Sequence, residues 1–273
     1  VDTIRLAAGV FTGPGNRDLD FQGRDLRLKG DPENPAACTL DLGARPDSVR
    51  AFFFHSGETP SALVRGLTVI GGVDPGSQAE GGLGGAILCV GASPTLADCV
   101  LDRNRAHTGG AIALQNSAAR IQACVFSRNT AENGGAVSSS GGEPILWGCT
   151  VQGNTASRGG AVVGHETRMR IDRTYFNANS ATQGGAVALD QDSQLQMTGS
   201  LLSNNFASFG GGIYVRSSVL SCGRVTLVQN SAGSGGGLHL DGSARGRLEA
   251  TLIVYSIRGG AVGLVPGAAL DAA

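Results

Sequence analysis

Apolar residues along this chain come in runs of four, such as AIAL (111–114), AVAL (186–189) and GIYV (212–215), each closed off by turn-forming residues. Runs of that length without a 3.6-residue period predict short β-strands. The runs recur. Glycine pairs begin at Gly84, Gly109, Gly134, Gly159, Gly184, Gly210, Gly235 and Gly259, at intervals of 25, 25, 25, 25, 26, 25 and 24 residues. Five residues before six of these pairs stand Asn104, Asn129, Asn154, Asn179, Asn205 and Asn230, while the outer copies have Ala79 and Val254 there. Three residues after each first glycine comes Ile87, Ile112, Val137, Val162, Val187, Ile213, Leu238 or Val262. A fixed period of roughly 20–50 residues marks a stacked-repeat architecture.

Helical repeats need long amphipathic stretches, and a leucine-rich repeat needs its own leucine frame; neither is present. A coil of about 25 residues with three short strands and three turns predicts an all-β fold: a single-stranded parallel β-helix solenoid. Equivalent residues of successive coils then lie ~4.8 Å apart. The glycines serve tight turns or close approach to the adjacent coil. The six asparagines are expected to tolerate left-handed backbone, to bond their own turn and to bond one another from coil to coil. Ten residues before the pairs lie Cys99, Cys124, Cys149, Thr174 and Ser200, and two further on Leu101, Phe126, Val151, Phe176 and Leu202. Period-two alternation puts both sets inside, where cysteine acts as a small buried apolar residue. No Cys-x-x-Cys spacing occurs, so neither a metal site nor a cofactor is expected.

The combination of GGAI or GGAV with FSRN (126–129) and FNAN (176–179) resembles the repeats of the chlamydial polymorphic outer membrane proteins. Elsewhere LDRN, VQGN, LSNN and LVQN keep only the asparagine. The opening DTIRLAAGVFTGPGNRDLDFQGRDLRLKG and the later FFFHSGETPSALVRGLTVIGG are similar to the first coils of the pectin-lyase-like, right-handed β-helix family. The resemblance implies an extracellular or cell-surface β-helix, with relatives in adhesion and others acting on polysaccharides.

Residues 1–273 read as one β-helix domain: irregular opening coils over 1–83 with an outward loop at 73–83, regular coils over 84–262, and a frayed end at 263–273. Strand-like pieces at 3–6, 25–28, 38–42, 51–54 and 62–70 bring the total to about eleven coils, a rod ~50 Å long. The chain starts in strand-like sequence and reads as a segment of a larger chain or complex. Its apolar runs are too short to form a transmembrane segment. A net charge of −1 argues against nucleic acid, because phosphate binding needs clustered Lys and Arg.

One outward column gathers ionisable groups. Six residues after each first glycine come Val90, Gln115, Ser140, His165, Asp190, Arg216, Asp241 and Val265, and the column two residues earlier adds Tyr214 and His239, with Glu166 and Asp192 on the following turns. As a catalytic set, Asp190 and Asp241 would be an acid–base pair two coils apart, Arg216 a uronate partner, and His165 or His239 a proton shuttle. As a ladder, opposite charges alternate because like charges stacked at strand spacing repel. Two smaller sets, Asp18, Asp20, Arg24 and Asp25, and His55 with Glu58, read as scaffold of the opening coils. The favoured reading is a non-enzymatic adhesin-like scaffold that binds a protein or polysaccharide partner along a face, with Tyr214, Arg216, His239 and Asp241 as binding residues. The alternatives are a polysaccharide lyase, hydrolase or epimerase, and an architectural subunit of a larger assembly.

Overall fold

A computed structural model describes residues 2–44, 50–74, 76, 82–254 and 256–272. Each coil contributes one short strand to each of three parallel sheets. Sheet 1 has eleven strands, from Thr3–Arg5 to Ala269–Ala272; sheet 2 has ten, from Gly9–Phe11 to Leu252–Val254; sheet 3 has nine, from Phe52–Phe54 to Val262–Leu264. All pairing is parallel and in register. Ile112, for example, faces Ile87 in the coil before it and Val137 in the coil after it. The result is a solenoid of about ten turns. No helix among the described residues is long and apolar enough to cross a membrane.

The core is three inward columns. Leu96, Ile121, Leu146 and Ile171 come from sheet 1, Leu101, Phe126, Val151 and Phe176 from sheet 2, and Ile112, Val137, Val162 and Val187 from sheet 3; all are fully buried. Beside them runs the Cys99–Cys124–Cys149–Thr174–Ser200 column, also buried. All six cysteines are free and buried. Each of these side chains donates to the carbonyl two residues earlier: Cys99 Sγ to Ala97 O at 3.2 Å, Thr174 Oγ1 to Asp172 O and Ser200 Oγ to Thr198 O at 3.0 Å. A small side chain with one donor is what the column requires, so thiol and hydroxyl interchange. Burial pushes the Cys149 thiol up to about 11, which keeps it uncharged.

The asparagines hold the coils together by a chain of buried hydrogen bonds. Asn129 donates from its backbone N–H and from Nδ2 to Asn154 Oδ1, at 2.9 and 3.0 Å, and its Nδ2 also reaches Leu101 O. The pattern repeats from Asn104 to Asn230. The asparagines do not take left-handed backbone, contrary to expectation. The preceding residues do: Arg103, Arg128, Gly153, Ala178, Asn204 and Gln229 have φ of 54–62°. An asparagine pointing inward at its neighbour leaves the sharp turn to the outward residue before it. Only Asn154 bonds its own turn, through Gln152 O at 3.1 Å.

The two glycines of a pair have different duties. Gly159 has φ of 59° and a Cβ there would lie 2.2 Å from Val162 O of its own coil, whereas a Cβ on Gly160 would lie 2.2 Å from Gly185 O of the next coil. The longer interval before Gly210 is absorbed in the turn after Asp190, where Gln191 and Asp192 both take positive φ; the equivalent turn one coil earlier uses only Glu166. The ladder beyond it continues undisturbed, with Asn179 bonded to Asn205.

Two boundaries shift. Residues 75 and 77–81 of the 73–83 loop, Ala79 included, lie outside the described residues. Its beginning is a strand, Val73–Asp74, paired with Arg105–Ala106, because Asp74 accepts from Arg50 Nη2 at 2.7 Å and ties that segment down. The stretch expected to fray instead adds a further rung: Val262–Leu264 pair with Leu238–Leu240, and Ala269–Ala272 with Arg245–Leu248. In the opening coils Glu58, 1% exposed, accepts from the backbone N–H groups of Gly23 and Ser56. Asp18 pairs with Arg50, Asp20 with His55, and Asp25 accepts from Thr59.

Asn154→Ala leaves the buried Asn129 N–H and Nδ2 without their acceptor, and is expected to cost about 2–4 kcal/mol in denaturant unfolding. Gly160→Ala is expected to exceed about 4 kcal/mol or to abolish folding, since the added carbon meets a carbonyl that cannot move without breaking the ladder. Gly153→Ala, whose Cβ would meet nothing within 4 Å, should cost only the left-handed penalty of about 1–2 kcal/mol.

Candidate functional site

The outer face of sheet 3 is a groove. Its floor is the middle column of that sheet: Ser138, Val163, Ala188, Tyr214 and His239 are in successive register. One rim is the column Gln115, Ser140, His165 and Asp190, continued by Arg216 and Asp241. The other rim is formed by the residue just before each glycine pair, Thr108, Asn133, Arg158, Gln183, Phe209 and Ser234, themselves bridged coil to coil. Between Thr108 and Asp190 the groove encloses about 330 Å³.

The rims meet at Asp190. His165 Nδ1 lies 2.9 Å from its Oδ1, and Arg158 Nη1 lies 2.9 Å from its Oδ2. The Asp190 side chain is 8% exposed against 46% for Arg158, so the carboxylate is enclosed by its cations. Two coils on, Tyr214 donates its hydroxyl to Asp241 Oδ2 at 2.7 Å. Its ring stacks on His239 with centroids 5.5 Å apart, and Phe209 meets the same imidazole edge-on at 5.4 Å. Tyr214 and His239 are each 4% exposed, so neither offers an open ring face. Arg216 is exposed, and among the described residues no carboxylate lies within salt-bridge distance of it.

The six named residues therefore divide. His165 and Asp190 form one cluster; Tyr214, His239 and Asp241 form another; Arg216 stands on the rim between them. Glu166 and Asp192 line a different surface with Glu143 and Arg168. Arg158 and Phe209 escaped the sequence reading, although a constant offset of one residue before each glycine pair marks their column.

Residues 85–255 match the family described as the right handed beta helix region. The chain belongs to that family. No curated protein and no protein of solved structure matches it.

Asp190 and Asp241 lie two coils apart, ~10 Å along the axis, and each accepts from donors within the fold. Burial pushes the Tyr214 hydroxyl well above the usual phenol range, with the hydrogen bond to Asp241 adding to it. It remains a donor. Burial likewise holds the His239 imidazole below its usual value of 6.5, opposed by the charge of Asp241. The imidazole Nδ1 of His239 and Ser234 Oγ share a hydrogen bond of 3.1 Å. Exposed along the groove are Arg158, Phe209 and Arg216, set among the partly exposed hydroxyls and amides of Thr108, Gln115, Asn133, Ser140 and Gln183.

Because its native pKa is depressed, the stability His239 contributes is complete above about pH 6.5 and declines as pH falls through the native value. In an NMR titration of the histidine ring protons, His239 should titrate below 6.5. Asp241→Asn should move it further down by removing the neighbouring negative charge.

Proposed function

We propose that this β-helix is a non-catalytic, adhesin-like scaffold working outside the cell or at its surface, and that it holds an extended protein or glycan partner in the groove of sheet 3. One observation carries the reading: both carboxylates of the ionisable column are committed to partners within the fold. Asp190 is enclosed by Arg158 and His165, and Asp241, partly exposed, accepts from Tyr214. No group of three His, Cys, Asp or Glu side chains among the described residues is arranged to hold a metal ion. The resemblance of the GGAI and FxxN repeats to surface-displayed proteins supports the location. A rigid rod with a straight groove suits a partner that runs along the axis, since every coil presents the same backbone spacing.

The reading is tested by incubating the protein with neutral and acidic polysaccharides and following new reducing ends and the absorbance of unsaturated products. The expected result is no product above the rate without protein. Turnover that disappears in both Asp190→Ala and Asp241→Ala would overturn the scaffold in favour of a polysaccharide-active enzyme.

A further inference from the structure

The outer face of sheet 1, on a different side of the coil from the groove, concentrates positive charge that the overall balance of −1 conceals. One outward column runs Arg120, Ile145, Arg170, Gln196, Ser221 and Arg247 in strict register. The column beside it runs Arg168, Gln194, Val219 and Arg245. Arg27 and Lys29 extend the same face through the opening coils, where Arg65 is already paired with Asp98 at 2.6 Å. Against these, the outward strand positions carry only Asp172, Glu249 and Asp271 as acids. Asp172 accepts from Thr198 at 2.7 Å, and Glu249 pairs with Arg247. Among the described residues, Arg120, Arg170 and Arg245 have no carboxylate within 4.0 Å. Arg168 has Glu143 at 3.7 Å, with both side chains more than two-thirds exposed.

We infer that this face is a docking surface for an acidic polysaccharide lying along the helix axis. Three features favour that occupant. The arginine fork takes a carboxylate through two parallel hydrogen bonds, and two of the unpaired guanidiniums, Arg120 and Arg170, stand in one column, with Arg245 in the column beside it. Their spacing is sparse: two coils, ~10 Å, separate Arg120 from Arg170, and three coils, ~14 Å, separate Arg170 from Arg247. A nucleic-acid strand carries a charge every ~3.4 Å, several for each arginine here, whereas a glycan with a carboxylate on alternate sugars carries charge at a density near that of the arginine row. Between the arginines lie Ile145, Gln196 and Ser221 in one column and Gln194 and Val219 in the other, and a third column alongside holds Gln122 and one indole, Trp147, 43% exposed. Amides suit sugar hydroxyls, and an exposed ring suits a sugar face. A shallow trough of about 370 Å³ between Glu143, Arg170 and Gln196 gives the chain a seat. The inference rests on the scaffold reading only in taking the rod to bind without cleaving.

The test is calorimetric titration of the whole chain with hyaluronate oligosaccharides at low ionic strength, with dextran and a single-stranded oligonucleotide as comparators. The expected result is hyaluronate binding that weakens as salt rises and exceeds binding of both comparators. Arg168→Gln combined with Arg170→Gln should weaken it about tenfold or more, the loss of two charge-assisted contacts. Arg245→Gln with Arg247→Gln should act in the same direction, and both exposed pairs should leave the unfolding midpoint unchanged. Arg216→Gln, on the groove rim, should leave the affinity intact. No hyaluronate binding, undiminished binding in both double variants, loss in Arg216→Gln instead, or equal or tighter binding of dextran or the oligonucleotide would each overturn the inference. Any of those results without polysaccharide cleavage leaves the groove reading standing. Cleavage abolished by the aspartate substitutions would sink the scaffold while leaving the arginine face to its own titration.

Discussion

In a parallel ladder every coil hydrogen-bonds to the coil on either side, so a residue gained or lost anywhere must be absorbed before the next strand begins. This requirement of equal advance governs the molecule. It explains why the second glycine of the pairs from Gly84 to Gly210 cannot carry a side chain, since its Cα faces the carbonyl of the corresponding glycine one coil on. It explains the buried asparagines, which tie backbone N–H to side-chain oxygen across successive coils. One tolerant place is the turn after the sheet 3 strand, where the extra residue of the longer coil enters as a second left-handed residue beside Asp190.

Once turns and core are fixed, chemistry can vary only at outward positions, and stacking converts a spacing near 25 in sequence into a contact in space. His165 and Asp190 touch for that reason, as do Tyr214 and Asp241. A column on one sheet and a column on another never meet, which keeps the groove and the arginine face separate. The same geometry disfavours a free acid–base pair within the ionisable column. A carboxylate at strand spacing from a cation or a hydroxyl finds an internal partner before it meets a substrate.

Much of this was legible because the repeat writes itself into fixed positions. The glycine intervals located the strands, the branched residue after each pair located the third inward column, and the ionisable column stood in the register read from the sequence. Left-handed backbone was assigned to the wrong residue because asparagine is favoured in that conformation, while here the ladder asparagine's side chain is required for bonding between coils and the residue before it, whether arginine, glycine, alanine, asparagine or glutamine, turns instead. The end of the chain looked irregular because its glycine frame degrades, yet hydrogen bonds to the preceding coil are enough to extend both ladders.

The sequence alone determined the parallel β-solenoid, its coil length, its inward columns and its asparagine spine, because each depends on residue type at a constant interval. Tertiary structure alone decided which outward residues are accessible and which are already engaged. Tyr214 and His239 were read as an outward binding pair and are 4% exposed, since the rim residues before the glycine pairs lean over the sheet and no periodicity records that lean. Arg158 joins Asp190 across the groove, from 32 residues away. Such contacts depend on how the turns fold back, and linear spacing carries no term for them.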